Sequence, residues 1–315
     1  MVEISVVIPS YNRAHLLPRT VESVKIQNFD DLEILVVDDG SSDDTESVVG
    51  ALQKDEPRLR LVRHPQNRGE AAARNTGLRE AAGRLIAFLD SDDAWLEGKL
   101  HRQHAALAAA EPDAAAVVTG NIVVSPDGAR SYVDAWHFYE PITVRNLLVK
   151  GCAIGLGGNV LMRRDAALSA GDFDETLRLY VDVDWLCRFL DTNKMIAINE
   201  PYTLYNKAAL RPGAVVERAA QAFLEKNAAL MSAFSPSDRR LIQAQFHENV
   251  AVSHKANNDR WGFLRASAQS LRGRPLRPVG VYVELLEAAL GLTLRRPLLR
   301  LFQRKAKQGS GEQTP

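Results

Sequence analysis

Short apolar runs alternate with helix-like segments along the first 125 residues, and this alternation limits the fold more than any other feature. The predicted strands are 4–8, 32–37, 59–62, 85–89 and 115–124, and the predicted helices between them are 14–26, 43–54, 70–82 and 96–110. The runs are continuously apolar, which is typical of strands buried on both faces of a parallel sheet. The sequence therefore predicts an α/β fold, a doubly wound and mostly parallel sheet with helices on both faces.

The chain changes character after residue 125. Glycines become frequent around 151–158, and strands predicted at 159–162 and 195–198, with a helix at 183–191, would complete the sheet. Residues 215–268 have a helical pattern with few turn signals, and an apolar-rich helix is predicted at 279–294. The predicted domains are an α/β domain over 1–212 with halves 1–125 and 126–212, a helical region over 213–307, and a disordered tail over 308–315.

Composition and charge exclude several classes of protein. Basic and acidic residues number 39 each, so the overall charge gives no reason to expect a nucleic-acid partner. The two cysteines, Cys152 and Cys187, are too few for a disulfide framework or a zinc site. The chain opens directly into a predicted strand without a charged leader, and no apolar stretch reaches the roughly 18 residues that a membrane span requires. These features predict a protein of the reducing cytoplasm.

Acidic residues crowd the ends of two predicted strands, where Asp38-Asp39 end one apolar run and Asp90–Asp93 end another. Such acids repel one another unless a cation or hydrogen-bond donors lie between them. The carboxyl edge of an open parallel sheet is also where these folds bind ligands. Magnesium and manganese commonly take one or two carboxylates together with phosphates, so we expect a divalent cation and a nucleotide there. A solvated acidic helix cap, the alternative interpretation, explains Asp43 and Asp44.

Two further segments carry polar side chains that suit a ligand site. The turn Pro9–Arg13 follows the first strand, which Pro9 is expected to end, and Tyr11 is placed to stack on a base. In the second segment, Arg68 precedes a predicted helix and could contact an anion, while Arg74 on that helix is either a ligand contact or part of an ion pair. Neither segment is specific by itself.

Several polar residues and glycines are interpreted first as helix boundaries. Ser42 precedes an acidic first turn and is the predicted N-cap of the second helix, and Gly83 is the predicted stop of the third. Asp182 and Asp184 lie two apart at a predicted helix start, so one can face the site while the other caps the helix. An acid facing the site there could act as a general base toward an acceptor hydroxyl.

Together, these motifs resemble the inverting family 2 glycosyltransferases of the GT-A fold, over about residues 3–210. The most specific parts are Pro-x-Tyr-Asn-Arg at 9–13, Val-Val-Asp-Asp-Gly-Ser at 36–41, Ala-Arg-Asn-x-Gly at 73–77 and Phe-Leu-Asp-x-Asp-Asp at 88–93. Their order and spacing also fit the family. By this resemblance, residues 1–125 are the nucleotide-binding half and 126–212 the acceptor half.

The resemblance also implies roles for individual residues. Asp39 would meet the nucleotide base with Pro9 and Tyr11 beside it, and Asp182 would be the catalytic base. The implied metal ligands are Asp92 first, then Asp90 and Asp93. The implied nucleotide-sugar contacts are Pro9, Tyr11, Asn12, Arg13, Asp38, Asp39, Arg68, Arg74, Asp90, Ser91 and Asp92.

Two positions depart from the family pattern. Val181 stands before the base where the family usually has Glu, and Tyr205 is followed by Asn206 and a lysine instead of a stretch that ends in histidine. The first departure puts the acceptor contacts in doubt. For the second, Arg211 is a candidate to take over a diphosphate contact.

The resemblance implies a divalent-metal-dependent, inverting transfer of a sugar from a nucleoside diphosphate sugar to an acceptor hydroxyl. The expected cofactor is Mn²⁺ or Mg²⁺, and the expected acceptor is a glycan or a lipid-linked molecule in cell-surface polysaccharide or lipid-linked glycan synthesis. One alternative is a catalytically degenerate sugar-nucleotide-binding or scaffolding domain, which the two departures keep open. The other is a sugar-phosphate nucleotidyltransferase, which would need a glycine-rich phosphate loop where Pro9–Arg13 has no glycine.

The basic C-terminal region carries a separate prediction. From Arg265 to Lys307 there are ten Lys and Arg residues but only two Glu residues. Helices with basic polar faces lie in membrane interfaces, and each basic residue near an anionic leaflet is worth about 1 kcal/mol. We therefore predict that 279–307 docks on the inner face of the cell membrane. The alternatives are a helical hairpin packed on the α/β domain and a contact in an oligomer.

Overall fold

The computed structural model describes residues 2–125, 130–134, 141–151, 154–206 and 209–275. The chain divides into a first unit, Met1–Ala209, and a second unit, Leu210–Pro315. This division falls three residues before the end predicted for the α/β domain. The functions predicted for the two regions stay predictions.

Among the described residues of the first unit, nine strands form one sheet. The strands are β1 (Ile4–Ser10), β2 (Leu32–Asp38), β3 (Leu59–Arg63), β4 (Leu85–Phe88), β5 (Ala94–Trp95), β6 (Ala114–Val124), β7 (Arg130–Asp134), β8 (Val160–Arg163) and β9 (Lys194–Asn206). The helices of this unit are α1 (Leu17–Lys25), α2 (Thr45–Leu52), α3 (Glu70–Glu80), α4 (Lys99–Ala109), α5 (Val144–Lys150), α6 (Arg164–Ser169) and α7 (Val181–Thr192).

The sheet has the order β3-β2-β1-β4-β8-β6-β9-β5, with β7 paired to β6. Strands β3, β2, β1 and β4 are parallel, as predicted, and β6 and β9 are also parallel. Strand β8 runs antiparallel to both β4 and β6. The fold class α/β is confirmed. Because β8 is reversed, its first residues lie beside the carboxyl end of β4, which brings the glycine-rich segment before β8 to that edge.

The core forms because the apolar runs are buried on both sheet faces. Val6, Val36 and Ala87 are fully buried, as are most side chains of their strands. Each fully buried Val, Leu or Ile contributes roughly 1.5–3 kcal/mol relative to exposure. Gly77 lets α3 pack closely on β1, because a Cβ at this position would overlap Val7.

Three local predictions were wrong. Pro9 does not end β1, which continues to Ser10 with Pro9 opposite Val37 of β2 and beyond Val7, the last residue of β1 that pairs with β4. Ser42 is not the N-cap of α2, which is preceded by Asp44; the backbone N–H of Ser42 instead donates to Asn12 Oδ1 at 2.9 Å. Helix α3 ends at Glu80 and not at Gly83, because the chain already turns to an extended conformation at Ala81.

The second unit is helical over its described residues. It contains α8 (Gly213–Lys226), α9 (Ala228–Ala233), α10 (Pro236–Ala256) and α11 (Arg260–Gly273), so the long helical pattern at 215–268 is interrupted three times. Phe223 of α8 stacks on Phe246 of α10, with the ring centroids 5.0 Å apart. The Asp259 side chain caps α11 by accepting from the N–H of Gly262.

None of the helices in the described ranges has both the length and the apolar character that crossing a bilayer would require. The segments 279–307 and 308–315 lie outside the described residues, and so does Cys152. The predicted membrane contact, oligomer contact and disordered tail therefore stay predictions.

Candidate active site

The turn after β1 is held against the turn after β2. The N–H of Asn12 donates to Ser41 Oγ at 2.9 Å, and Asn12 adopts a left-handed conformation with φ 52°. Asn tolerates this region better than most residues. The Tyr11 side chain remains exposed at the edge of the sheet. The predicted stacking of Tyr11 on a nucleotide base stays a prediction, whereas Asn12 is engaged with the neighbouring turn.

The two carboxylates after β2, which we call the β2 rim (Asp38 and Asp39), are buried and bonded to the protein. Asp38 Oδ1 accepts from the N–H of Ser41 at 3.0 Å, and its Oδ2 lies 3.2 Å from Arg63 Nε. Asp38 is fully buried, so its carboxylate shapes the turn. A direct nucleotide contact by this side chain, which was predicted, finds no support in the geometry.

Asp39 binds the loop that leads into α3. Its Oδ1 accepts from His64 Nδ1 at 2.7 Å and from the N–H of Arg68 at 2.9 Å, and its Oδ2 accepts from the N–H of Gly69 at 2.7 Å. Thr76 lies 2.9 Å from the other ring nitrogen of His64. His64 was not singled out from the sequence, because a single histidine after a strand gives no specific signal.

The carboxylates after β4 form the β4 rim (Asp90, Asp92 and Asp93). Asp90 donates its N–H to the carbonyl of Gly157 at 2.6 Å, and its Oδ1 accepts from Arg74 Nη2 at 3.0 Å. A side chain at Gly157 would overlap the Asp90 carboxylate, so this glycine permits the close approach. Burial and the nearby charges of Glu70, Asp182 and Asp92 raise the pKa of Asp90, and the charge of Arg74 opposes them.

The other two acids of the β4 rim differ from each other in exposure. Asp93 is buried, and its Oδ1 accepts from the N–H of Asn206 at 2.8 Å. Burial and the charge of Asp90 raise the pKa of Asp93 to about 8. Asp92 is partly exposed, and its Oδ1 forms an ion pair with Arg13 Nη1 at 2.8 Å. Ser91 lies close to the same guanidinium, with its Oγ 3.5 Å from Arg13 Nη1.

Asp182, the predicted base, lies on the first turn of α7 and faces the β4 rim. Its Oδ1 accepts from Arg74 Nη1 at 2.8 Å, and its Oδ2 accepts from the N–H of Leu156 at 3.2 Å. Burial raises the pKa of Asp182, although the charge of Arg74 acts in the opposite direction. Asp184 points elsewhere and pairs with Arg188 at 3.4 Å. The structure thus places Asp182, Asp90 and Arg74 in one cluster.

Arg74 is the least exposed charged side chain of this cluster. Besides Asp90 and Asp182, it pairs with Glu70 one helical turn earlier. These carboxylates raise the pKa of Arg74 although burial alone would lower it. Of the two interpretations of Arg74 from the sequence, its contacts favour the ion pair. Arg68, by contrast, is partly exposed and pairs with Glu175 at 3.2 Å.

The three predicted metal ligands do not form a preformed cage. Among the described residues, no group of three or more His, Cys, Asp or Glu side chains is arranged to hold a metal ion. Asp93 is buried and bonded to the backbone of β9, whereas Asp90 and Asp92 are both partly exposed and each is paired with an arginine. Because Arg13 is partly exposed and Arg74 is buried, the ion pair at Asp92 is the more easily exchanged of the two. The Arg13 guanidinium already brings a positive charge to Asp92. This arrangement fits a cation held by one carboxylate and by the phosphates of a ligand.

The departure from the family pattern at Tyr205 and Asn206 lies near the end of β9. The Tyr205 side chain is exposed near the end of β9, and Asn206 contributes its N–H to Asp93 and its amide to the carbonyl of Asp92. Arg211 belongs to the second unit, and its carbonyl accepts from Asn257 at 3.0 Å. The suggested diphosphate contact of Arg211 stays a prediction.

The sequence of the chain matches the model of glycosyl transferase family 2 over residues 5–169, slightly more than half its length. The chain belongs to this family, which confirms the resemblance inferred from its motifs. The match contains the β2 and β4 rims and Arg74. Asp182 lies beyond the matched residues.

Curated relatives match about a third to two fifths of the chain. A GalNAc(5)-diNAcBac-PP-undecaprenol beta-1,3-glucosyltransferase of Campylobacter jejuni is 40% identical over 129 residues, which cover 41% of this chain and 40% of the relative. The UDP-Glc:alpha-D-GlcNAc-diphosphoundecaprenol beta-1,3-glucosyltransferase WfgD of Escherichia coli is 44% identical over 100 residues, covering 32% and 39%. The match thus spans about two fifths of the length of these relatives.

Solved structures share the fold over most of the chain. S. aureus TarS 1-349 in complex with UDP has a TM-score of 0.56 at 18% identity, covering 86% of this chain and 92% of that one. The mannosyltransferase PcManGT from Pyrobaculum calidifontis, in complex with GDP-Man and Mn²⁺, has a TM-score of 0.58 at 21% identity, covering 91% and 79%. At these identities, the similarity establishes the fold alone.

Proposed function

We propose that this protein is an inverting glycosyltransferase that moves a sugar from a nucleoside diphosphate sugar to an acceptor hydroxyl. The observation that carries the proposal is the cluster at the carboxyl edge of the sheet, where Arg74 bonds both Asp90 and Asp182. Asp182, on the proposed acceptor side, thereby lies beside Asp90, on the proposed donor side. Direct displacement needs this arrangement, with a base on one face of the sugar and a leaving group on the other.

Asp182 acts as the general base in this proposal. It takes the proton from the acceptor hydroxyl as that oxygen attacks the anomeric carbon, and the diphosphate leaves with the bonding electrons. The raised pKa of Asp182 strengthens it as a base. The N–H of Leu156 and the guanidinium of Arg74 orient the carboxylate.

The donor lies along the β1 and β4 ends of the sheet in this proposal. Tyr11 stacks on the nucleotide base, Asp39 orders the loop beside it, and Arg13 is released from Asp92 to contact the diphosphate. Asp92 is the residue best placed to hold Mn²⁺ or Mg²⁺, with Asp90 and Asp93 shaping the rim around it. Such an ion supplies Lewis-acid stabilisation of the leaving diphosphate. The remaining walls of the proposed donor site are formed by Ser91, Asn12 and Pro9.

A lipid-linked or cell-surface glycan is the proposed acceptor. The names of the Campylobacter and E. coli relatives describe glucosyltransferases that act on undecaprenol diphosphate-linked sugars. Similarity over about two fifths of their length supports the same class of acceptor for this chain. The donor sugar is assigned only as a nucleotide-linked hexose or a derivative of one.

Peripheral attachment to the cytoplasmic face of the membrane belongs to the same proposal. The second unit, Leu210–Pro315, contains seventeen Lys and Arg residues against eight Asp and Glu residues, whereas acids outnumber bases in the first unit. A basic unit is attracted to an anionic leaflet, where a lipid-linked acceptor would lie. Deletion of 279–315 should reduce sedimentation with anionic vesicles; unchanged sedimentation would contradict docking through this segment.

Turnover of the Asp182→Asn variant tests the proposed reaction. Wild-type protein is incubated with UDP- and GDP-sugars, Mn²⁺ and a diphosphate-linked lipid acceptor, and product is followed by mass spectrometry. We expect the variant to lose roughly 10²–10⁴-fold in rate, because the base is missing, while UDP or GDP binding by thermal shift is retained. Asp191→Asn, at the exposed end of the same helix, is the matched control. Equal turnover in the Asp182 variant and the control would refute the assigned role.

Donor hydrolysis separates the proposal from the two alternatives. A glycosyltransferase with Mn²⁺ slowly releases free sugar and nucleoside diphosphate from its donor. A degenerate binding domain would bind the donor without releasing either product. A nucleotidyltransferase would instead form a nucleotide sugar from a nucleoside triphosphate and a sugar phosphate, releasing pyrophosphate.

A further inference from the structure

Helix α3 presents two neighbouring polar side chains, Arg74 and Asn75, that are almost completely buried. Both point away from their own helix to partners more than ninety residues later in the chain. Buried polar side chains are costly unless their partners are well placed. The partners of Arg74 and Asn75 therefore show which parts of the chain these two side chains hold in place.

Asn75 fixes the segment that precedes α7. Its Nδ2 donates to the carbonyl of Phe173 at 2.9 Å, and its Oδ1 accepts from the N–H of Phe173 at 2.7 Å. The Phe173 ring in turn stacks on Trp185 of α7, with the ring centroids 5.0 Å apart. Two bonds to a single backbone residue leave little freedom, so the start of this segment is attached to the nucleotide-binding half.

Arg74 fixes the first turn of α7, which directly follows this segment. Nη1 donates to Asp182 at 2.8 Å, and Nη2 donates to Asp90 at 3.0 Å. A guanidinium is planar and presents its donors in a fixed fork. The separation between the two carboxylates is therefore determined by the guanidinium itself.

Asp182, Asp90 and Glu70 engage three of the four N–H donors on the two terminal nitrogens of Arg74, so a diphosphate could take only the remaining N–H of Nη1 without breaking a pair. The Nε–H is buried and has no hydrogen-bond partner among the described residues. An unpartnered buried donor is unfavourable. A role in stability alone does not explain why the fork faces two carboxylates that would repel each other without it.

We propose that Arg74 is a positioning residue that holds the base Asp182 at a fixed distance from the donor-side carboxylate Asp90. This inference rests on the proposed glycosyltransferase function. It replaces the direct nucleotide-sugar contact predicted for Arg74 from the sequence. Without the guanidinium, the two carboxylates move apart, and the base no longer lies in line with the anomeric carbon. Displacements of about 1 Å at such a site can cost about 10²-fold in rate.

The first experiment compares the kinetics of Arg74→Ala and Arg74→Lys with those of Arg79→Gln. Arg79 is the matched control, because it lies on the same helix and pairs with Asp172 of the same segment at 2.8 Å, but on the surface. We expect Arg74→Ala to lower kcat about 10²-fold or more while the donor KM changes far less. Arg79→Gln should keep both constants. A raised donor KM with an unchanged kcat would overturn the proposal and restore the direct donor contact.

Chemical rescue provides a readout that a purely structural role would not affect. Millimolar guanidinium chloride is expected to raise the kcat of Arg74→Ala at least about tenfold, because the free ion can bind between the two carboxylates in place of the missing side chain. Lysine can reach only one carboxylate at a time, so Arg74→Lys should remain at least about tenfold below wild type. Full activity of Arg74→Lys, or no rescue of a folded Arg74→Ala, would overturn the proposal. If Arg74→Ala does not fold, the lysine variant decides.

A double-mutant cycle separates failure of this inference from failure of the proposed function. The free energies of unfolding of Arg74→Lys, Asp182→Asn and the double variant are measured in urea, which requires no turnover. Non-additive effects show that the two side chains are coupled, and additive effects would overturn the bridge. Coupling in a protein that transfers no sugar would leave the bridge intact and reject the reaction.

Discussion

The β2 rim and the β4 rim have the same pattern in the sequence but different chemistry in the structure. Each follows a buried apolar strand with consecutive acids at the carboxyl edge of the sheet. In the β2 rim, backbone N–H groups bond both Asp38 and Asp39. A histidine also bonds Asp39, and Arg63 pairs with Asp38. In the β4 rim, Asp90 and Asp92 are instead paired with the guanidinium groups of Arg74 and Arg13. Backbone donors are fixed, whereas a side-chain cation can be exchanged for a ligand.

This difference indicates that the β2 rim shapes the turns around the ligand and that the β4 rim meets the reacting groups. Substitutions in the β2 rim should therefore affect stability first, and substitutions in the β4 rim should affect activity first. The predictions that follow test this division, beginning with the largest effect.

Asp92→Asn should lower turnover by roughly 10²–10³-fold, because the carboxylate proposed to hold the cation at the leaving group is lost. Its effect on the free energy of unfolding should stay below about 1 kcal/mol, because a partly exposed ion pair contributes little. Initial rates and urea unfolding measure the two effects on the same preparation. A large loss of stability with unchanged turnover would reverse the roles of the two rims.

Asp39→Asn should lower the free energy of unfolding by about 1–3 kcal/mol, since an amide nitrogen would face donors that now bond a carboxylate oxygen. Urea denaturation of Asp44→Asn, an exposed acid in the following turn, provides the control. If both variants unfold at the same urea concentration as wild type, the β2 rim does not have the structural role described here.

Lys99→Met should stabilise the fold in a pH-dependent manner. Lys99 is fully buried at the start of α4, where its Nζ donates to Gln103 and lies 4.1 Å from the ring centroid of Trp95. Burial lowers its pKa well below 10.5. The unfolded chain therefore binds more protons between the lowered pKa and 10.5, and the free energy of unfolding of wild type rises with pH across that window.

The advantage of Lys99→Met over wild type should thus be largest below the lowered pKa and should shrink as the pH approaches 10.5. Urea unfolding at several pH values measures it. Lys25→Met serves as the control, because Lys25 pairs with Glu22 at the surface. An advantage that is constant with pH would mean that Lys99 does not titrate differently in the two states.

Arg13→Gln should raise the affinity for Mn²⁺ in the absence of any nucleotide, because it frees Asp92. An exposed ion pair is worth up to about 1 kcal/mol, so the gain should not exceed about fivefold. Free Mn²⁺ is measured by electron paramagnetic resonance, with the exposed Arg19→Gln on α1 as control. Equal or weaker Mn²⁺ binding by Arg13→Gln would show that Arg13 does not compete for this carboxylate.

The sequence predicted the parallel part of the sheet because β1, β2 and β4 are largely apolar runs and helical patterns separate them. The same rule missed β5 and α6, which are too short to show a periodic pattern. It also gave no direction for β8, whose reversal is a property of the long connection before it. The motifs identified both rims correctly as acid clusters at one edge.

The hydrogen-bond and ion-pair partners of the predicted site residues could largely not be predicted from the sequence. Asp90 and Asp182 are separated by ninety-two positions, and their common contact with Arg74 depends on how α3 and α7 pack. Gly157 and Leu156 contribute through backbone atoms, which residue identity alone does not reveal. A cluster of glycines before β8 was the one available signal that the chain comes close to something at that point.

A crystal structure of the protein with Mn²⁺ and UDP or GDP would show whether the β4 rim binds the donor. The β4 rim is predicted to show an anomalous manganese peak at Asp92, bridged to the diphosphate, with Arg13 displaced from the carboxylate and Asp182 facing the same cleft. Nucleotide and manganese bound elsewhere, with the Arg13–Asp92 ion pair still formed, would contradict the account.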